Sequence, residues 1–245
     1  MNLVIDIGNT RSKAALFDED HLLEHFYFDK NPQNQVKKLL TEHPEIRFSI
    51  VSSVVNHSKE TVNLLQHKSN CVEFNSNTLL PVSVEYDSPE TLGRDRIAAA
   101  VGAFKLFKGK NVLSIDAGTC IKFDFVTKEG VYKGGSISPG IGMRFNALNA
   151  FTDKLPLVAA DMDFKTLIGQ STQGSIQSGV QNGAIFEVKG FVDVYSTQYP
   201  GLNIVLSGGD SSFFEGSLKN SIFVSPNLVL IGLNEILNFN VSQKI

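Results

Sequence analysis

The chain has 245 residues, 42% of them hydrophobic, and a formal net charge of −3. That length can bury one large core or two modest ones, and the mild acidity argues against a nucleic-acid binder that works by neutralising phosphates. Two cysteines, Cys71 and Cys120, cannot build a disulfide framework, and no apolar run approaches the ~18 residues a membrane helix needs. Asp6 and Gly8 come too early for a signal-peptide core, so a cytoplasmic protein is expected, with neither nucleic acid nor membrane as partner.

In chain order, Leu3-Val4-Ile5 is a β-prone run ending in Asp6-Ile7-Gly8-Asn9-Thr10, and residues 12–17 resume as a strand, which predicts a hairpin. Val36, Leu39 and Leu40 recur at helical spacing and predict a helix over 32–42. Residues 48–55 read as a buried strand, 58–67 as a helix, and the alanine-rich 97–107 as another. Val112-Leu113-Ser114-Ile115 then leads into Asp116-Ala117-Gly118-Thr119, and 121–125 returns as a strand. A glycine-rich stretch at 134–142 leads into a helical segment over 143–151. Residues 174–194 predict a long helix, 203–207 a strand running into Gly208-Gly209-Asp210, and 227–239 a last helix.

The unit of apolar strand, Asp-x-Gly turn and return strand occurs twice, with its aspartates 110 positions apart. Repetition at that scale suggests two related α/β domains facing each other, 1–108 and 109–245. A turn holding Gly8 lets backbone amides approach phosphate oxygens. Asn9 and Thr10 add donors, Lys13 a positive charge, and Asp6 an oxygen ligand for Mg2+. The plainer alternative is an Asn/Gly hairpin turn capped by Asp6. Asp116 to Thr119 offers a second such turn, with Thr119 as a donor and a carboxylate that could also bind a cation. Two acidic turns around a Mg-triphosphate supply what phosphoryl transfer needs, positioning and charge neutralisation. Between them stands Tyr86-Asp87-Ser88-Pro89-Glu90-Thr91-Leu92-Gly93-Arg94-Asp95-Arg96. Asp95 between two arginines reads either as a helix N-cap with salt bridges, or as a carboxylate base with guanidinium groups for an anionic substrate. Gly208-Gly209-Asp210 is at least as well explained as an ordinary strand-to-helix turn.

The ordered set Asp-x-Gly-Asn-Thr-x-x-Lys at 6–13, Gly-x-Asp-Arg at 93–96, Asp-x-Gly-Thr at 116–119 and Gly-Gly-x-Ile-x-Pro-Gly at 134–140 resembles the type III pantothenate kinases over essentially the whole chain. The resemblance implies a duplicated ribonuclease-H-like (actin-like ATPase) α/β fold and a homodimer with its active site near the subunit interface. It also implies ATP-dependent phosphorylation of pantothenate, the first step of coenzyme A synthesis, with Mg2+ and a monovalent cation, K+ or NH4+. Position by position, it makes Asp6, Ile7, Gly8, Asn9, Thr10, Arg11, Ser12, Lys13 and Thr119 the ATP contacts and Asp95 the proton acceptor. Tyr86, Gly93, Arg94, Asp95, Arg96 and Thr172 become substrate contacts, with 93–96 a substrate-binding loop, and Asp116 becomes the monovalent-cation ligand. Arg94 stands where a small residue is common in the family, and Cys120 where alanine is frequent.

Overall fold

The computed structural model describes residues 1–8, 11–28, 32–53, 59–164, 166–218 and 222–243. The fold grows outward from the apolar runs. Leu3, Val4 and Ile5 form the middle of β1 (Asn2–Ile7) and are wholly buried. A strand whose neighbours cover both faces carries a continuous apolar run rather than an alternating one. β1 pairs antiparallel with β2 (Ser12–Asp18) and parallel with β4 (Phe48–Ser53). β3 (His21–Phe28) and β5 (Asn70–Glu73) complete the order β3-β2-β1-β4-β5. α1 (Gln33–Glu42) and α2 (Lys59–Lys68) contribute Val36, Leu39 and Leu65 to the core with Leu3, Ile5, Ile7 and Leu16. The expected strand and helix residues Val54, Val55 and Ser58 lie outside the described residues.

α3 (Arg94–Leu106) buries an unbroken small-residue run, Ala98 to Ala103, against α8 (Leu228–Ser242). The backbones meet so closely that a Cβ on Gly232 would lie 1.7 Å from the Ala98 carbonyl oxygen. Asparagines of α8 fix it to β1: Asn2 Nδ2 donates to Asn234 Oδ1 at 2.9 Å and to Asn238 Oδ1 at 2.8 Å. Met1–Gly109, Val126–Lys133 and Asn227–Ile245 therefore group as one compact unit, and Lys110–Phe125 with Gly134–Pro226 as the other. The longest segment of the first unit ends at Gly109, and the chain's last helix returns to that unit.

The second sheet runs β11-β10-β7-β8-β9-β6. Its strands are β6 (Ser83–Val84), β7 (Val112–Ala117), β8 (Cys120–Val126), β9 (Val131–Pro139), β10 (Asn203–Ser207) and β11 (Ile222–Val224). Apart from β6, the order repeats that of the first sheet, with β7 in the place of β1 and parallel β10 in the place of β4. Most of the glycine-rich stretch at 134–142 is the end of β9, and α4 (Ile141–Ala150) follows it. The long helix expected over 174–194 is α5 (Thr172–Gln177), a π-helical turn (Ser178–Asn182) and α6 (Gly183–Gln198) in succession. At the π turn the buried Gln181 grips the backbone of Asp161, accepting from its N–H at 3.0 Å and donating to its carbonyl at 2.8 Å. α7 (Ser211–Glu215) follows Gly208-Gly209-Asp210, so that segment is the strand-to-helix turn.

Candidate active site

In the first unit, β1 ends at the acidic turn because Gly8 closes it: Gly8 N–H donates to the Arg11 carbonyl at 3.2 Å. Asp6 and Lys13 are partners across the β1–β2 ladder, so their side chains share a face, and Lys13 Nζ lies 5.9 Å from the Tyr27 ring centroid. Asp6 also pairs in register with Ser52 of β4. Asn9 and Thr10, expected to contact ATP, lie outside the described residues. Arg11 is exposed and Ser12 fully buried, its hydroxyl without a hydrogen-bond partner among the described residues.

Residues 94–96, expected in a substrate loop, form the first turn of α3, and Gly93 rather than Asp95 is its N-cap. The reason is tertiary. Arg96 is buried, its guanidinium 5.8 Å from the Tyr86 ring, and Tyr86 in turn lies against Tyr132 with centroids 6.2 Å apart. Burying Arg96 there draws the chain into helix immediately after Gly93. Arg94 Nη1 donates to the carbonyl of Ser53 at the end of β4, at 3.1 Å. Asp95 Oδ1 accepts from the Arg96 N–H at 3.0 Å, and in the first turn its negative charge lies where the helix dipole favours it. The ends of β1 and β4 and the start of α3 thus gather Asp6, Lys13, Arg94, Asp95 and Arg96 within one unit.

In the second unit, the β7–β8 turn is braced from three segments. Gly118 N–H donates to Cys120 O and Gly140 N–H to Thr119 O, both at 3.0 Å, and Asp210 N–H reaches Ala117 O at 3.0 Å. Gly208, at φ +93°, passes so close that a Cβ would lie 2.0 Å from that same Ala117 oxygen. Thr119 is left exposed at the tip. Burial alone pushes the carboxyl of half-buried Asp210 above its usual range. Asp116 does not stand open. Its Oδ2 lies 2.6 Å from Lys122 Nζ, and its Oδ1 accepts from Ser207 Oγ at 3.4 Å. Neither Lys122 nor Ser207 was singled out from sequence. The repeat held the signal for Lys122, since each acidic hairpin carries a lysine on its return strand: Lys13 seven positions after Asp6, and Lys122 six after Asp116.

Thr172 opens α5, where the Ser171 hydroxyl caps the helix by accepting from Gly174 N–H at 3.1 Å. It is exposed on a largely apolar groove of about 910 Å³ that it shares with Pro139, Arg144, Leu148, Phe151 and Ile176. Arg144 is fixed at the groove edge by the Pro139 carbonyl at 2.8 Å and by Glu187 at 2.5 Å.

A family model described as type III pantothenate kinase matches residues 2–194. A type III pantothenate kinase from Christiangramia forsetii is 45% identical over 99% of this chain and 100% of its own length. Among solved structures, the activator of the 2-hydroxyisocaproyl-CoA dehydratase from Clostridium difficile, with bound ADPNP, superposes with a TM-score of 0.55 at 13% identity, covering 99% of this chain and 97% of that one. A ROK family glucokinase from Streptomyces griseus, in complex with glucose and AMPPNP, gives 0.52 at 14%, covering 97% and 99%. These likenesses, with the repeated sheet order, establish the duplicated actin-like ATPase fold. The sequence match goes further than the fold, running through both acidic turns, the Asp95 helix and Thr172, and so the chain belongs to the type III pantothenate kinases.

Proposed function

We propose that this chain transfers the γ-phosphoryl group of ATP to the terminal hydroxyl of pantothenate, the first step of coenzyme A biosynthesis, with Asp95 as proton acceptor. Beyond family membership, one observation carries the site assignment. Asp95 stands in the first turn of α3 between Arg94, anchored on the Ser53 carbonyl, and Arg96, buried against Tyr86. A carboxylate flanked in sequence by two arginines whose guanidinium groups are fixed suits a substrate that brings both a hydroxyl and an acid group. Tyr86, Gly93, Arg94, Arg96 and Thr172 form the substrate-binding set in this reading.

The hydroxyl oxygen attacks the γ-phosphorus, the bond to the β–γ bridging oxygen breaks, ADP leaves, and the proton passes to Asp95. An aspartate with a reference pKa near ~3.9 is a weak base at pH 7. It serves here because the proton is lost late, as the phosphoryl group arrives in a loose transition state. Residues 6–13, with Thr119, take the ATP. The Asp6 carboxylate is the oxygen donor a hard cation prefers, and Mg2+ bound with the nucleotide supplies charge neutralisation at the phosphates. A K+ or NH4+ ion on Asp116 fits the residues less well, because Lys122 and Ser207 already engage both of its oxygens. The steps above need no such ion.

The homodimer belongs to the same reading. Phe151, which lines the groove with Thr172, and Leu157, Leu167 and Ile168 are 64–87% exposed. Apolar side chains that open to solvent are the kind a second copy covers, and the active site would then lie near the subunit interface. The reaction is assigned to the cytoplasm, where ATP is at hand. Pantothenate-dependent release of ADP tests the activity, and its absence overturns it. Light scattering that returns the mass of one chain overturns the dimer.

A further inference from the structure

We infer that Lys122 supplies from within the chain the positive charge that a K+ or NH4+ ion would bring to Asp116, so that nucleotide binding here does not depend on an added monovalent cation. The inference rests on the kinase reading above and goes beyond it.

The geometry is that of a built-in ion. Lys122 Nζ lies 2.6 Å from Asp116 Oδ2, and the two side chains are only 16% and 18% exposed. That separates the pair from exposed surface bridges, which are loosely held and worth little. The other oxygen, Oδ1, receives the Ser207 hydroxyl across the parallel β7–β10 ladder, where Ser207 and Asp116 are direct partners. Both oxygens that a monovalent cation would use are therefore engaged. An alkylammonium group carries the charge of NH4+ and three of its N–H donors. Tethered three residues beyond Thr119, it is present at an effective concentration no salt solution matches. A K+ ion on the same carboxylate would sit against a like charge.

The repeat supports the same conclusion. In the first hairpin Asp6 faces Lys13 across the β1–β2 ladder, and in the second Asp116 pairs with Lys122 on the β8 return strand. Each acidic turn thus has a lysine of its own, and the second is closed onto its aspartate.

The test measures the affinity of a fluorescent ATP analogue, and pantothenate-dependent ADP release, with K+, NH4+ or choline as the only monovalent cation. For the wild type, both quantities change by no more than about threefold among the salts, the scale of ordinary ionic screening. Lys122→Met leaves Asp116 half-buried and uncompensated, so analogue affinity in choline falls about tenfold or more and is recovered by NH4+ or K+. Lys122→Arg keeps the indifference to salt. A wild type that loses tenfold or more of its affinity in choline overturns the inference, as does a Lys122→Met variant as indifferent as the wild type. Thermal melts in each salt report whether the variants fold, and if they do not, the wild-type salt series decides alone. Salt-indifferent analogue binding without ADP release in any salt would instead strike the pantothenate reading and leave the role of Lys122 standing.

Discussion

The β1–β2 and β7–β8 hairpins start from nearly the same residues and are supported in different ways. Among the described residues, the first turn is closed by one backbone bond, Gly8 to Arg11. The second is held by Gly140, Gly208 and Asp210, drawn from the start of α4 and the end of β10, and its aspartate is tied to Lys122 and Ser207. The support of the second turn comes from segments that fold back onto it, and those segments lie far away in sequence. It suits a platform fixed before any ligand arrives.

The largest expected effect separates chemistry from both turns. Asp95→Asn should lower turnover by roughly 10²- to 10⁴-fold while nucleotide affinity changes little; comparable losses in turnover and nucleotide affinity would place Asp95 in binding instead. Next comes the brace of the second turn. Gly208→Ala must accommodate a methyl group 2.0 Å from the Ala117 oxygen at φ +93°, and should cost about 2–4 kcal/mol in urea unfolding. A variant as stable as the wild type would show that Gly208 does not brace the second turn.

A matched pair of substitutions then compares the turns directly. Gly8→Ala places a Cβ 2.9 Å from the Arg11 oxygen, whereas Gly118→Ala meets nothing within 4 Å. The first should cost roughly 1 kcal/mol of stability and the second under about 0.5 kcal/mol. Nucleotide affinity lost by Gly118→Ala would then report crowding of the ligand rather than damage to the fold.

The smallest effect concerns Asp210. Burial raises its folded-state pKa above the ordinary 3.8, so the folded protein holds this proton more tightly than the unfolded chain does. The associated stability is complete below pH 3.8 and is lost as pH rises through the raised value. Because the group is half-exposed, solvent screening keeps the change below about 1 kcal/mol. Asp210→Asn should flatten the stability–pH curve just above pH 3.8, and an unchanged curve would remove Asp210 as its source.

Much of the fold was legible because its cues are local. Both hairpins, the helices over 32–42 and 227–239, and the strand over 203–207 follow from apolar runs punctuated by glycine, and the structure places them within a few residues of the expected bounds. What was not legible has tertiary causes. The glycine-rich stretch at 134–142 was given no element of its own, and Gly134 and Gly135 lie in β9, where a Cβ on Gly135 would fall 1.6 Å from the Phe123 oxygen. The residues around Asp95 allowed a helix N-cap and the family resemblance implied a loop at 93–96, and the burial of Arg96 against Tyr86 goes with a helix that starts at Arg94, with Gly93 rather than Asp95 as its N-cap.

By itself, the sequence determined that two copies of a strand–acidic turn–strand unit exist, and that Asp95 stands between them with an arginine on either side. Those are matters of spacing, and spacing is written along one chain. Only the tertiary structure decided that α8 returns to the first sheet, and that Asp116 meets Ser207 from a strand 91 residues away. It also decided that Lys122 closes onto Asp116. Such contacts depend on which strands pair and in what register, and that is settled by burying the whole apolar surface at once rather than by any local run of residues.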